Sequence, residues 1–125
     1  MRFLYLLLAV LILSCAPKEQ TAQEKKKDTS DLKPYSEVYE NGQTHIQGNL
    51  LDDKRHGLWA SYYLNGVKWS EDEYYEGQRN GKTISYYPSG LFRYKGTYID
   101  DEPAGNWIFY DEEGKIQKEE DFSKK

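Results

Sequence analysis

Glycines recur along this chain at a fixed step, and that step constrains the fold more than any other feature. Gly57, Gly81 and Gly105 are evenly spaced, and Gly42, Gly66, Gly90 and Gly114 keep the same 24-residue step. Self-similarity at a period of this length marks an array in which one supersecondary unit is repeated. Other columns keep the same step: Tyr35, Trp59, Thr83 and Trp107; Val38, Tyr62, Tyr86 and Tyr110; Leu50, Tyr74, Tyr98 and Phe122. Asn41, Asn65, Ser89 and Glu113 each stand immediately before a glycine. The columns divide the chain into four units, 33–56, 57–80, 81–104 and 105–125. The first is the most divergent and the last is cut short, as befits terminal repeats that pack on one neighbour only.

Each unit reads as a hairpin. In the second, Leu58 to Tyr63 is rich in the aromatic and apolar residues that strands favour. Leu64-Asn65-Gly66 follows, and Asn-Gly between apolar runs predicts a two-residue type I′ turn, which needs positive φ at both central residues. Val67 to Tyr75 is the return strand, and the stretch from Glu76 to Gly81 turns into the next unit. On this reading both glycine columns mark reversals. No segment carries a helical apolar period. Aromatics fall on both strand parities, as at Tyr62 and Tyr63 or Tyr86 and Tyr87, whereas a half-buried sheet alternates. The expectation is an all-β, elongated, single-layer antiparallel meander of about eight strands, held by ladders of aromatics across strands.

The run Gly57-Leu58-Trp59-Ala60-Ser61-Tyr62-Tyr63-Leu64-Asn65-Gly66 resembles the variant MORN repeat of bacterial proteins. Gly81 to Gly90 and Gly105 to Gly114 follow the same pattern, and His56-Gly57 echoes the His-Gly pair of the standard motif. The resemblance spans about 57–122. It implies successive hairpins in an extended sheet, and a scaffold or binding module rather than an enzyme. Similar bacterial proteins carry the label of a toxin–antitoxin antitoxin component, which implies an immunity-like partner of an exported toxin as one further reading.

Segment 1–14 is of a different kind. Arg2 precedes an apolar run from Phe3 to Leu13, and Ser14-Cys15 closes it. That is the layout of a secretory signal with its cleavage site, and the run is too short for a transmembrane helix, which needs about 20 residues. Ile12-Leu13-Ser14-Cys15 resembles the lipobox of bacterial lipoproteins, with Ile12 where the family prefers leucine. The resemblance implies cleavage before Cys15 and acylation of that residue, the chain's one cysteine. Residues 16–34 hold one large apolar residue, Leu32, and no aromatic. Such a stretch cannot bury enough surface to offset its ordering entropy. It is expected to be a disordered tether reaching roughly 25 Å, so that the folded domain occupies 35–125. Ala16 follows Cys15 without the aspartate that resembles an inner-membrane retention signal. The expected location is therefore the cell envelope, at the outer membrane, with the periplasmic or surface side open.

Without Arg2 the chain has 16 basic against 21 acidic residues and a net charge of −5. Nucleic acid, whose phosphates demand a basic surface, is excluded as a partner. No catalytic constellation is found, no cofactor is implied and no metal site is expected. His56 shares a column with Asn80 and Ala104 and reads as a turn residue. His45 reads as a strand residue, with no second histidine or cysteine at metal-site spacing. No Gly-x-Ser-x-Gly elbow occurs. The acidic clusters, Asp52-Asp53 and Asp100-Asp101-Glu102 among them, lack the calcium-loop pattern and read as solvated turns and edges. The aromatics remain as the candidate binding surface: Trp59, Tyr62, Tyr63, Trp69, Tyr86, Tyr87, Trp107 and Tyr110. Tyrosine and tryptophan are enriched at interfaces, so a protein partner is expected first and a cell-wall glycan second, with self-association through free sheet edges a further option.

Overall fold

The computed structural model describes residues 31–124. The expected signal segment, Cys15 and most of the expected tether lie outside the described residues. Eight strands follow one another: β1 (Lys33–Val38), β2 (Thr44–Leu51), β3 (Lys54–Tyr62), β4 (Lys68–Tyr75), β5 (Gln78–Tyr86), β6 (Phe92–Ile99), β7 (Glu102–Tyr110) and β8 (Ile116–Asp121). They pair in sequence order into one open antiparallel sheet whose edges are β1 and β8. The expected all-β meander is what forms. The even step has a simple origin: β3, β5 and β7 begin at Lys54, Gln78 and Glu102, one repeat apart each time. A 3-10 helix, Phe122–Lys124, closes the array and lays Phe122 edge-on against Trp107 at 5.9 Å.

Three local readings need correction. First, β1 starts at Lys33, so Lys33 and Pro34 already pair with Leu50 and Asn49. A side-chain count misses this because ladder hydrogen bonds come from the backbone. Second, the Asn-Gly turn is not a two-residue type I′ turn. The Gly66 N–H donates to the Tyr63 carbonyl at 2.9 Å, and the Tyr63 N–H donates to the Val67 carbonyl at 2.8 Å. Gly66 has φ +84°, while Leu64 and Asn65 stay negative. This is a three-residue loop, a type I turn closed by a left-handed glycine. The two-residue turns with positive φ at both positions are Asp52-Asp53, Glu76-Gly77 and Asp100-Asp101; aspartate and glycine tolerate the left-handed region, and Glu76 adopts it beside Gly77. Third, the column of Gly57, Gly81 and Gly105 does not mark reversals. These glycines sit inside β3, β5 and β7, where the register slips against the preceding strand. His56 accordingly lies in β3, its ring tilted against Tyr75 at 5.3 Å, and is not a turn residue.

The sheet has two unlike faces. On one, Trp59 and Trp107 are 3 % and 4 % exposed although no second layer covers them. Their cover comes from neighbours on the same face. Arg55 lies over the Trp59 ring at 4.4 Å, with Tyr35 at 5.5 Å and Tyr74 at 6.2 Å. Tyr94, Tyr98 and Phe109 crowd Trp107 within 5.0–6.1 Å. The opposite face carries Tyr62, Tyr86 and Tyr110, interleaved with Lys68, Glu71 and Lys95.

The joints between units alternate in chemistry. Trp59 of β3 lies flat on Gly48 of β2, and Trp107 of β7 lies flat on Gly96 of β6; a Cβ added to either glycine would fall under 3.0 Å from the indole. Each indole N–H donates across the joint at 3.1 Å, to the Asn49 and the Thr97 carbonyl. Between them, at the β4–β5 joint, Thr83 takes the tryptophan's place and Asp72 takes the glycine's. The Thr83 hydroxyl donates to Asp72 Oδ1 at 2.6 Å. Glu73 fills the register slip there and accepts the Lys82 N–H at 2.9 Å.

Candidate binding site

Four register slips of a second kind organise the surface. Beside each three-residue loop the return strand carries one extra residue. Val38 pairs with Thr44 and Glu37 with Ile46, which leaves His45 over. The same count leaves Trp69, Arg93 and Gln117. A bulge breaks strict alternation and re-aims a side chain. Here it directs four side chains of one repeat column onto the tryptophan face, at the loop end of the sheet.

Three of the four rest on a tyrosine. His45 stacks on Tyr39 at 4.5 Å, Trp69 on Tyr63 at 5.8 Å, and the Arg93 guanidinium lies 5.9 Å from the Tyr87 ring. The tyrosines are themselves fixed. The Tyr39 hydroxyl donates to the Tyr62 carbonyl at 2.7 Å, Tyr63 to Tyr86 at 2.8 Å and Tyr87 to Tyr110 at 2.8 Å. Each bond joins one unit to the next. In the last unit Asp111 holds this column and turns inward, accepting the Glu113 and Lys115 N–H groups of its own loop. The result is a comb: His45, Trp69, Arg93 and Gln117 stand in a row across the strands. Successive teeth are two strands apart, roughly 9.5 Å at ordinary strand spacing. Trp69 is 43 % exposed, and Arg93 and Gln117 are also exposed.

Two recesses open beside the teeth. One, of about 150 Å³, is lined by His45, Ile46, Ser61, Trp69, Ser70 and Asp72 among others. The other, of about 370 Å³, is lined by Tyr87, Arg93, Tyr94, Phe109, Tyr110 and Gln117. They are equivalent places two units apart: Arg93 stands for His45, Tyr94 for Ile46, Phe109 for Ser61 and Gln117 for Trp69. Both are shallow. The Ser61 and Ser70 hydroxyls are paired at 2.7 Å, and burial raises the pKa of the Tyr94 phenol, so it stays protonated. Among the described residues no three histidine, cysteine, aspartate or glutamate side chains gather as metal ligands.

On the opposite face, Lys68 pairs with Glu71, which also accepts the Tyr86 hydroxyl at 3.4 Å. Burial, then the Glu71 charge, raises the Tyr86 pKa. Farther along, Lys95 Nζ stands 3.5 Å from the Phe92 ring centre, and Phe92 lies 5.4 Å from Tyr86 and 6.0 Å from Tyr110. Phe92 and Ile116 are exposed there.

The eight aromatics singled out in the sequence therefore do not make one surface. Trp59 and Trp107 form joints. Tyr63 and Tyr87 are half-buried pins under the comb. Tyr62, Tyr86 and Tyr110 face the other way. Trp69 alone of the eight is a tooth. His45, Arg93 and Gln117 were missed as site residues; their signal was the repeat column combined with aromatics on both parities, which is what regularly spaced bulges produce.

The MORN repeat variant family matches the chain at residues 55–76 and 104–124. These segments coincide with the hairpins β3–β4 and β7–β8. Two of the chain's hairpins therefore match the variant MORN repeat. The two matched units are those that open with Trp59 and Trp107, whereas the MORN-like hairpin between them opens with Thr83. No curated protein matches the chain.

Proposed function

We propose that this variant MORN protein is a non-catalytic binding module or scaffold, held at a membrane of the cell envelope by a lipid on Cys15 and carried clear of it by the tether. The observation that supports a binding role is the comb. Four bulges each break strand alternation to place one side chain of one column on one face, and three of those side chains are seated on hydrogen-bonded tyrosines. The lipobox-like Ile12-Leu13-Ser14-Cys15 supports the anchor. A protein partner fits the opposite face best, where Tyr86, Phe92, Tyr110 and Ile116 present an apolar and aromatic patch with the polar rim that interfaces favour. An exported toxin bound by an immunity protein would be one such partner.

Cross-linking in living cells, followed by purification through a C-terminal tag, tests this reading. Capture of a defined partner, lost in Phe92→Ala or Trp69→Ala variants that still fold, is the expected outcome. Cross-links that are the same in both variants and in the parent would sink the binding role. Cys15→Ser is expected to release the protein from the membrane fraction; unchanged membrane association would remove the lipid anchor.

A further inference from the structure

The comb also carries the chemistry of its ligand. We infer that the row His45, Trp69, Arg93 and Gln117 is a binding site for an extended, β-linked polysaccharide laid across the strands, with successive disaccharides resting on successive teeth. This inference rests on the binding-module reading and names a ligand class for the tryptophan face.

Four features point to sugar. Trp69 presents an exposed indole held from beneath by Tyr63, and the C–H face of a pyranose stacks on such a ring. His45 and Arg93 offer planar groups in the same setting, and with Gln117 they bring donors for hydroxyl and acetamide groups. The pitch of roughly 9.5 Å, set by two strand spacings, is close to the repeat of an extended β-1,4-linked disaccharide. The recesses between teeth are shallow and half polar, which suits a hydrated chain better than a peptide, whose anchors need desolvated pockets. A peptide added as a strand would run along β1 or β8, not across the sheet. A stacking comb also suits single-stranded nucleic acid, but that ligand needs a positive groove, and the tethered chain is net negative.

Binding through several weak teeth makes affinity depend on ligand length. The experiment uses the full chain in detergent micelles, titrated calorimetrically with the disaccharide and the hexasaccharide of β-1,4-linked N-acetylglucosamine, and in parallel sedimented with purified peptidoglycan. The hexasaccharide is expected to bind at least tenfold more tightly than the disaccharide. Trp69→Ala should weaken it at least tenfold and Arg93→Ala severalfold, in variants whose cooperative thermal unfolding shows that they still fold. Trp69→Tyr, which keeps a flat ring, should retain most of the affinity. Affinity that ignores chain length, or that survives Trp69→Ala, would overturn the inference, as would absence of binding to both oligosaccharide and peptidoglycan. Capture in cells of a protein partner that depends on Trp69, with no glycan binding, would overturn the glycan and leave the binding module standing.

Discussion

The β6–β7 joint and the β4–β5 joint occupy equivalent places in the repeat and hold their units together by opposite means. At the first, the Trp107 indole lies on the bare backbone of Gly96 and is sealed by aromatic neighbours. At the second, the Thr83 hydroxyl, 1 % exposed, bonds to Asp72. One joint depends on removing apolar area from water, the other on satisfying polar groups that burial would otherwise leave costly. The backbone frame is the same in both, so a meander of this kind fixes where a joint sits but not how it is made. What it does demand is agreement between the two residues that meet there.

The largest effect is expected where that agreement is broken at the apolar joint. Trp107→Ala should cost about 3–5 kcal/mol, as deletion of a buried ring does, and Gly96→Ala should cost about 1–3 kcal/mol or more because the ring must move. Urea unfolding measures both, and a Gly96→Ala variant as stable as the parent would show that the indole is not seated as described.

Next comes the polar joint. Asp72→Ala leaves the buried Thr83 hydroxyl without its acceptor and should cost about 1–3 kcal/mol. The double variant Asp72→Gly, Thr83→Trp rebuilds the apolar joint in the polar place. It is expected to recover most of that loss; a double variant weaker than Asp72→Ala alone would mean that the joints are not interchangeable.

Each of the two joints has its own tyrosine pin, Tyr63 at the polar one and Tyr87 at the apolar one, so Tyr63→Phe and Tyr87→Phe should behave alike, each costing about 1 kcal/mol for one lost hydrogen bond. Unequal losses in thermal unfolding would separate the units energetically.

The smallest effect is electrostatic and belongs to the β6–β7 turn. The Arg79 backbone N–H bonds to Asp101 at 2.9 Å, and the Arg79 guanidinium lies at 3.3 Å. The backbone bond first, and the guanidinium with it, hold the Asp101 carboxyl below its ordinary value of 3.8. A lowered folded pKa contributes stability above the ordinary value and loses it as pH falls through the folded one. Asp101→Asn should therefore flatten the acid limb of stability below roughly pH 4. Denaturant midpoints that fall alike in parent and variant would exclude Asp101 as the source.

Much of this architecture was legible in the sequence because it depends on spacing. The evenly stepped columns led to the strand number, the meander and the MORN likeness. What spacing could not reveal was phase. Asn65-Gly66 signals a turn, but only the loop geometry shows that Gly66 alone adopts positive φ. Nothing in the letters around Trp69 says that it is the extra residue of a bulge, so parity alone would set it on the wrong face. Burial was misread for a related reason: a single layer suggests exposed tryptophans, whereas Trp59 and Trp107 are sheltered by residues of adjacent strands that only the register brings together. The acidic pairs Asp52-Asp53 and Asp100-Asp101 were rightly placed at turns.

The alternation of joints sets an arithmetic for how such a chain can grow. Each joint matches a residue late in one unit with a residue early in the next: Gly48 with Trp59, Asp72 with Thr83, Gly96 with Trp107. Copying the unit that runs from Trp59 to Asp72 in tandem would set an indole against an aspartate. Copying that unit together with its successor would set Trp59 against Gly96, a match already in use. Gene duplication can therefore lengthen the array without repair in steps of two units, and every such step would add two teeth to the comb.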